Sequence, residues 1–196
     1  MTAEKRDDME HGSNSKQRAL VTGASSGIGE AYARRLAQDG CDLLLVARRA
    51  ERLGVLADQL SRAHGIQAVP LPADLATDAG IGAVERAVSD GPPLAWLIGC
   101  AGFGTRGRFV DVAPDQVRRM VRLHIEANVR LVRSALPGMI ALRRGAVVMV
   151  SSLSAFLTTA EYVSYSASKA YLNMLVLGTD LKTAMARLNL PAVERA

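Results

Sequence analysis

A chain of 196 residues, 49% apolar and 22% charged, has an ordinary globular composition and is long enough for one domain with a substantial core. Only 4% is aromatic, too little for the stacking platforms of single-stranded nucleic-acid binders, and the +5 net charge is scattered over several helices with no block of like charges. Cys41 and Cys100 lie in or beside apolar runs, and no run nears the ~18 residues of a membrane span. The expectation is a cytoplasmic protein with reduced, packed thiols and neither a membrane nor a nucleic-acid partner.

Residues 1–17 hold few apolar residues and many charges of both signs, without a hydrophobic centre, so a disordered polar tail and no signal peptide are expected. Residues 18–196 read as one domain. "RALVTGA" (18–24) predicts a strand, followed by a helix over 27–38. "CDLLLVA" (41–47) predicts a second strand, and Leu53, Leu56 and Leu60 mark a second helix. A short strand starts at Ile66, a helix covers about 78–89, and Gly91, Pro92 and Pro93 break the chain before a fourth strand at 94–99. A Gly-rich loop (102–107) leads to a long helix from about Pro114. On it Val117, Met120, Val121, His124, Asn128, Leu131 and Ala135 share one face. A fifth strand (146–151) and a helix from about Tyr165 to Leu188, apolar nearly all round, complete the series. Strands apolar on both faces and separated by helices predict an α/β, Rossmann-type doubly wound parallel sheet with helices on both faces, with ligands outside the carboxyl ends of the strands.

"VTGASSGIGE" joins the first strand to the first helix. Gly23, Gly27 and Gly29 allow a tight turn and close approach of a phosphate to the helix N-terminus. The candidate nucleotide-binding turn therefore comprises Thr22, Gly23, Ser25, Ser26, Gly27, Ile28 and Gly29. At the end of the second strand, where NAD readers carry a carboxylate, the chain has Arg48 and Arg49. A guanidinium at Arg48 suits a 2′-phosphate, which favours NADP(H) over NAD(H); Arg49 reads as the start of a helix. Asp74, after the third strand, is placed to accept from an adenine amino group, and Gly102 allows close backbone approach after the fourth strand.

In "YSASK" Tyr165 and Lys169 stand at i and i+4, on one helix face. Tyr162 and Tyr171 lack such a partner and read as packing residues. "TGASSGIG" (22–29), "SS" (151–152) ahead of "YSASK" (165–169), and "LPGM" (136–139) together resemble the short-chain dehydrogenase/reductase family over roughly residues 18–188. The resemblance implies that Tyr165 is the acid of ketone reduction or the base of alcohol oxidation. It implies that Lys169 favours the phenolate and holds the nicotinamide ribose. Ser152, thirteen positions before Tyr165, would hydrogen-bond the substrate oxygen. It further implies a small carbonyl or alcohol substrate and a homo-oligomer built through the last two long helices.

Three departures accompany the resemblance. "GCAG" (99–102) replaces the family's "NNAG". His124 stands at the position of the family's assisting Asn, either as a satisfied core histidine or as a proton relay. After the last helix the sequence reads "NLPAVERA", without the sixth strand and substrate-covering loop of the family, so the fifth strand is expected to form an edge. The leading expectation is an NADP(H)-dependent oxidoreductase interconverting a carbonyl and an alcohol. The alternative is a shortened, non-catalytic relative that binds nucleotide or a partner subunit.

Overall fold

The computed structural model describes residues 16–179. Strands β1 (Arg18–Thr22), β2 (Asp42–Ala47), β3 (Ala68–Pro72), β4 (Trp96–Gly99) and β5 (Ala146–Met149) alternate with helices α1 (Gly27–Gln38), α2 (Ala50–His64), α3 (Asp78–Ser89), α4 (Pro114–Val121), α5 (Asn128–Ala141) and α6 (Val163–Gly178). Every strand pair is parallel and the order is β3-β2-β1-β4-β5. The chain runs outward from β1 to β3, then crosses back to lay β4 against the other side of β1. The carboxyl ends of β1 and β4, with Thr22 beside Gly99 in register, therefore flank the point where the winding reverses.

Alternation along each strand feeds two cores. Ala19 and Val21 join Leu43, Leu45 and the α1–α2 residues Leu36, Leu53 and Leu56 on one face. Leu20, Leu44 and Val46 join Ile81, Val84, Leu131 and Met139 from α3 and α5 on the other. A side chain such as Leu20 or Ile81, fully buried, contributes about 1.5–3 kcal/mol. Among the described residues no helix is long and apolar enough to cross a membrane.

Several expectations need correction. β1 ends at Thr22, not residue 24, because Gly23 turns the chain with φ +68°. β3 is not apolar on both faces; it carries Pro70 and Pro72, and all five of its residues are exposed or half-buried, as suits an edge strand. Of the expected tail, residues 1–15 lie outside the described residues; Lys16 Nζ donates to the Gly65 carbonyl, and Asp42 N donates to Gln17 O at 2.7 Å. The long helix is interrupted by a π-helical turn, Arg122–Ala127. Of the face expected to be buried, Met120, His124, Asn128, Leu131 and Ala135 are buried, but Val121 is 40% exposed. In α6, Leu172 and Lys169 face inward, but Tyr171, Met174 and Leu177 are exposed, so Tyr171 does not pack into the core. Among the described residues β5 forms one edge of the sheet, as expected. The continuation of the last helix to Leu188 and the segment "NLPAVERA" lie outside the described residues.

Candidate active site

At the carboxyl end of β1 the turn doubles back onto the first turn of α1. A Cβ on Gly23 would sit 2.9 Å from Ala101 N, and one on Gly29 would strike the Gly23 carbonyl, so neither position tolerates a side chain. Among the described residues no side chain caps the first amides of α1. Those donors, with the helix dipole, face an open cleft of about 360 Å³. Gly23, Ser25, Ser26, Ile28 and Gly29 line it, as do Arg48, Asp74 and Gly102. Thr22 stands behind the cleft instead: its buried Oγ1 accepts from Cys100 N and Ala101 N, both at 3.1 Å, and so anchors the turn after β4. Gly27, with φ +57°, opens the helix without lining the cleft.

Arg49 does more than start a helix. Its guanidinium donates to Ser25 Oγ at 2.9 Å, to Ser25 O at 3.1 Å and to Ser26 Oγ at 2.6 Å, which braces the glycine-rich turn and leaves Arg48 as the arginine facing the cleft without a hydrogen-bond partner among the described residues. Asp74 accepts from Ala76 N at 3.0 Å and from Arg119 Nη2 at 2.9 Å. Burial pushes its carboxyl up, but the Ala76 amide, Arg119 and Arg48 together bring it below the usual value, so it stands ionised at the cleft wall. A turn with uncapped amides, an arginine without a hydrogen-bond partner among the described residues and an ionised carboxylate fits an adenine dinucleotide.

On the other side of the cleft, Lys169 is buried and donates through Nζ to Val150 O at 2.8 Å, and Val150 lines the cleft. Burial lowers its ammonium from the ordinary value, while the Cys100 thiol nearby works the other way. Cys100 itself is pushed up to about 11 by burial, with Lys169 pulling it back, which makes it a packed thiol and not a nucleophile. Lys169 Nζ lies 5.7 Å from the centroid of the Tyr165 ring. That ring meets His124 edge-on at 5.9 Å, and among the described residues its hydroxyl has no hydrogen-bond partner. Ser151 Oγ donates to Lys169 O at 3.1 Å; Ser152 Oγ accepts from Ser154 N at 3.1 Å and caps the short 3₁₀ turn Leu153–Ala155. His124 is fully buried, with Nδ1 2.8 Å from Ser168 Oγ and Nε2 accepting from Phe103 N at 3.2 Å. Both ring nitrogens are therefore in use.

Arg49, Arg119 and Ser168 escape a reading of the sequence. Arg49 is signalled only by its place beside Arg48. Arg119 and Ser168 take partners 45 and 44 residues away, with no local pattern to mark them.

A short chain dehydrogenase family profile matches residues 17–194. A short chain dehydrogenase of Pseudocercospora fijiensis is 37% identical over 157 residues, covering 78% of this chain and 50% of that protein. The inactive hydroxysteroid dehydrogenase-like protein 1 of Rattus norvegicus is 32% identical over 157 residues, covering 79% of this chain and 48% of that protein. The chain thus spans about half the length of the curated relatives it matches. Among solved structures, a short-chain dehydrogenase from Sphingobium yanoikuyae in complex with NADPH superposes with a TM-score of 0.81 at 34% identity, covering 90% of this chain and 68% of that one.

Proposed function

The chain belongs to the short-chain dehydrogenase/reductase family, and from that premise we propose that it is an NADP(H)-dependent oxidoreductase interconverting a carbonyl and an alcohol. The observation that carries this reading is one cleft lined by an uncapped α1 N-terminus, by Arg48, which has no hydrogen-bond partner among the described residues, and by Val150, whose carbonyl holds the buried Lys169 of the Tyr165–Lys169 pair just behind the wall. NADPH, when bound, supplies the hydride that reduces the carbonyl carbon. Tyr165 Oη, without a partner among the described residues, donates its proton to the carbonyl oxygen as that oxygen gains charge. Lys169, held by Val150 O, keeps positive charge beside the phenol and favours its ionised form. Ser152 Oγ, already steadied by Ser154 N, hydrogen-bonds the same oxygen. Arg48 binds the 2′-phosphate and Asp74 the adenine amino group, which sets the preference for NADP(H). The exposed apolar stripe Tyr171, Met174 and Leu177 on α6 supports a homo-oligomer formed through the long helices.

A second reading, a non-catalytic relative that binds nucleotide or a partner subunit, is favoured by one observation: His124 has no free nitrogen where the family carries its assisting Asn. Fluorescence titration of the purified chain with NADPH and with NADH, alongside Arg48→Ala, tests the nucleotide half. Reduction of a carbonyl panel, with Tyr165→Phe as the blank, separates the two readings. NADPH binding with turnover that Tyr165→Phe abolishes supports the oxidoreductase; binding without turnover supports the second reading.

A further inference from the structure

His124 stands where three segments meet: the π-helical turn Arg122–Ala127, the Gly102–Phe103 turn after β4, and α6. Its Nε2 accepts the Phe103 amide proton, so that nitrogen is bare and the ring proton sits on Nδ1. Nδ1–H donates to Ser168 Oγ at 2.8 Å, and the Ser168 hydroxyl donates onward to the Tyr165 carbonyl at 2.7 Å. The bonds run in one direction from the Phe103 amide to the backbone of the residue that carries the phenol. Around the ring there is no slack. A Cβ on Gly102 would lie 2.8 Å from Nε2, and Asn128 Nδ2 donates to the His124 carbonyl at 2.8 Å and the Leu123 carbonyl at 3.3 Å, which ties down the widened turn.

We propose that His124 and Ser168 form a fixed positioning pair that sets the Tyr165–Lys169 face of α6 against the nucleotide-facing turn, and that His124 carries no proton to or from Tyr165. A relay would require the ring to take a proton on one nitrogen while releasing the other. Here the receiving lone pair is held by an amide and the departing proton by a hydroxyl, both buried, so the exchange would break two hydrogen bonds at once. The charged and titratable groups around the ring oppose it as well. From α6 come the Lys169 ammonium and the Tyr165 phenol; the Gly102–Phe103 turn brings no ionisable side chain; on the ring's own turn Arg122 and Glu126 pair with each other at 3.1 Å. Burial, then Lys169, lowers the imidazole to about 4, and no carboxylate among the described residues bonds it. The effect on turnover rests on the oxidoreductase reading; the pair itself rests on the hydrogen bonds alone.

The two are separated by one pair of experiments on the full chain. In ¹⁵N-histidine NMR with His11 and His64 replaced by Gln, the remaining ring is expected to show a protonated Nδ1 and a bare Nε2, unchanged from pH 8 to pH 5. A ring that titrates near the ordinary value of 6.5, or carries its proton on Nε2, overturns the proposal. In NADPH-dependent carbonyl reduction, Ser168→Ala is expected to lower kcat about tenfold, with the Kd for NADPH within about twofold. Ser168→Thr, which keeps the hydroxyl, is expected to restore most of the loss. Wild-type kcat in Ser168→Ala overturns the positioning role. A wild-type chain that turns over no carbonyl removes the oxidoreductase reading, and the NMR result then decides the pair.

Discussion

Along the β1–α1 turn the amides that open the helix have no side-chain cap and Arg48 faces the cleft, whereas around Lys169 and His124 the donors and acceptors close on one another, the buried Ser166 hydroxyl being the exception on α6 among the described residues. There Lys169 is bonded to Val150 O, Ser151 to Lys169 O, and His124 to both Phe103 and Ser168. Of the catalytic candidates on α6, the Tyr165 hydroxyl alone lacks a partner among the described residues. The difference follows from what each end has to hold. A site for a polyanion keeps its donors available, because the ligand's oxygens complete them. A reacting group needs the opposite, a scaffold with nothing left to rearrange and one atom exposed to the chemistry.

The strongest way to break this comparison is to remove that one atom. On the proposed function, in which the phenol is the proton donor and the nucleotide is held mainly by the β1–α1 turn, Tyr165→Phe is expected to lower kcat for carbonyl reduction by about 10³-fold while leaving the Kd for NADPH within about twofold. Steady-state kinetics with a parallel binding titration check it. A parallel loss of NADPH affinity would show that the two ends are not separate.

The locked corner also has a signature in stability. Folded His124 takes its proton near 4 where an exposed ring takes it at 6.5, so between those values the unfolded chain holds the extra proton. The resulting stabilisation is complete above pH 6.5 and is lost as the pH falls toward 4, by about 3 kcal/mol. The carboxyls of Asp74 and Glu85, held below 3.8 and 4.5, lose their contributions mostly below this window. Urea denaturation at pH 7, 5.5 and 4.5 is expected to show the decline, and His124→Asn to flatten it.

At the open end, Arg48→Ala is expected to raise the Kd for NADPH about 10–100-fold and to leave that for NADH nearly unchanged, the loss of one charge-assisted contact to a 2′-phosphate. If NADPH affinity falls only when Arg49 is replaced, the free and the bracing arginine have been assigned the wrong way round.

Much of the open end is legible in the sequence. The limits of α1 and α3, the order of the strands and the glycine-rich turn follow from local signals; β1, β4 and β5 are shorter than those signals put them, and β3 starts two residues later. The π-helical turn is not legible in the same way, because the apolar spacing from Met120 to His124 and from Asn128 to Leu131 suits an ordinary helix. The partners of His124 are hidden for a different reason. Phe103 and Ser168 reach it from segments 21 and 44 residues away, and no periodicity encodes a contact of that kind. Arg49 illustrates a third limit: two adjacent arginines have the same chemistry and both line the cleft, and only the turn of the backbone decides which braces Ser25 and which is left without a hydrogen-bond partner among the described residues.

The smallest expected effect sharpens the contrast between helix ends. α3 begins with Thr77, whose Oγ1 accepts from Gly80 N at 3.1 Å and donates to Asp74 O at 2.8 Å, so this N-terminus is closed by the protein itself. Thr77→Ala is expected to cost about 1 kcal/mol of stability. Because Asp74 keeps its side-chain bonds to Ala76 and Arg119, the change should leave NADPH affinity nearly untouched. At α1 the donors face the ligand, so stability there should rise on NADPH binding by an amount set by concentration over Kd. Thermal denaturation with and without NADPH measures both: the Thr77→Ala chain should melt lower yet gain the same increment from nucleotide as the wild type. A smaller increment would mean that the Thr77–Asp74 contact shapes the adenine wall, and that the closed helix end serves the open one.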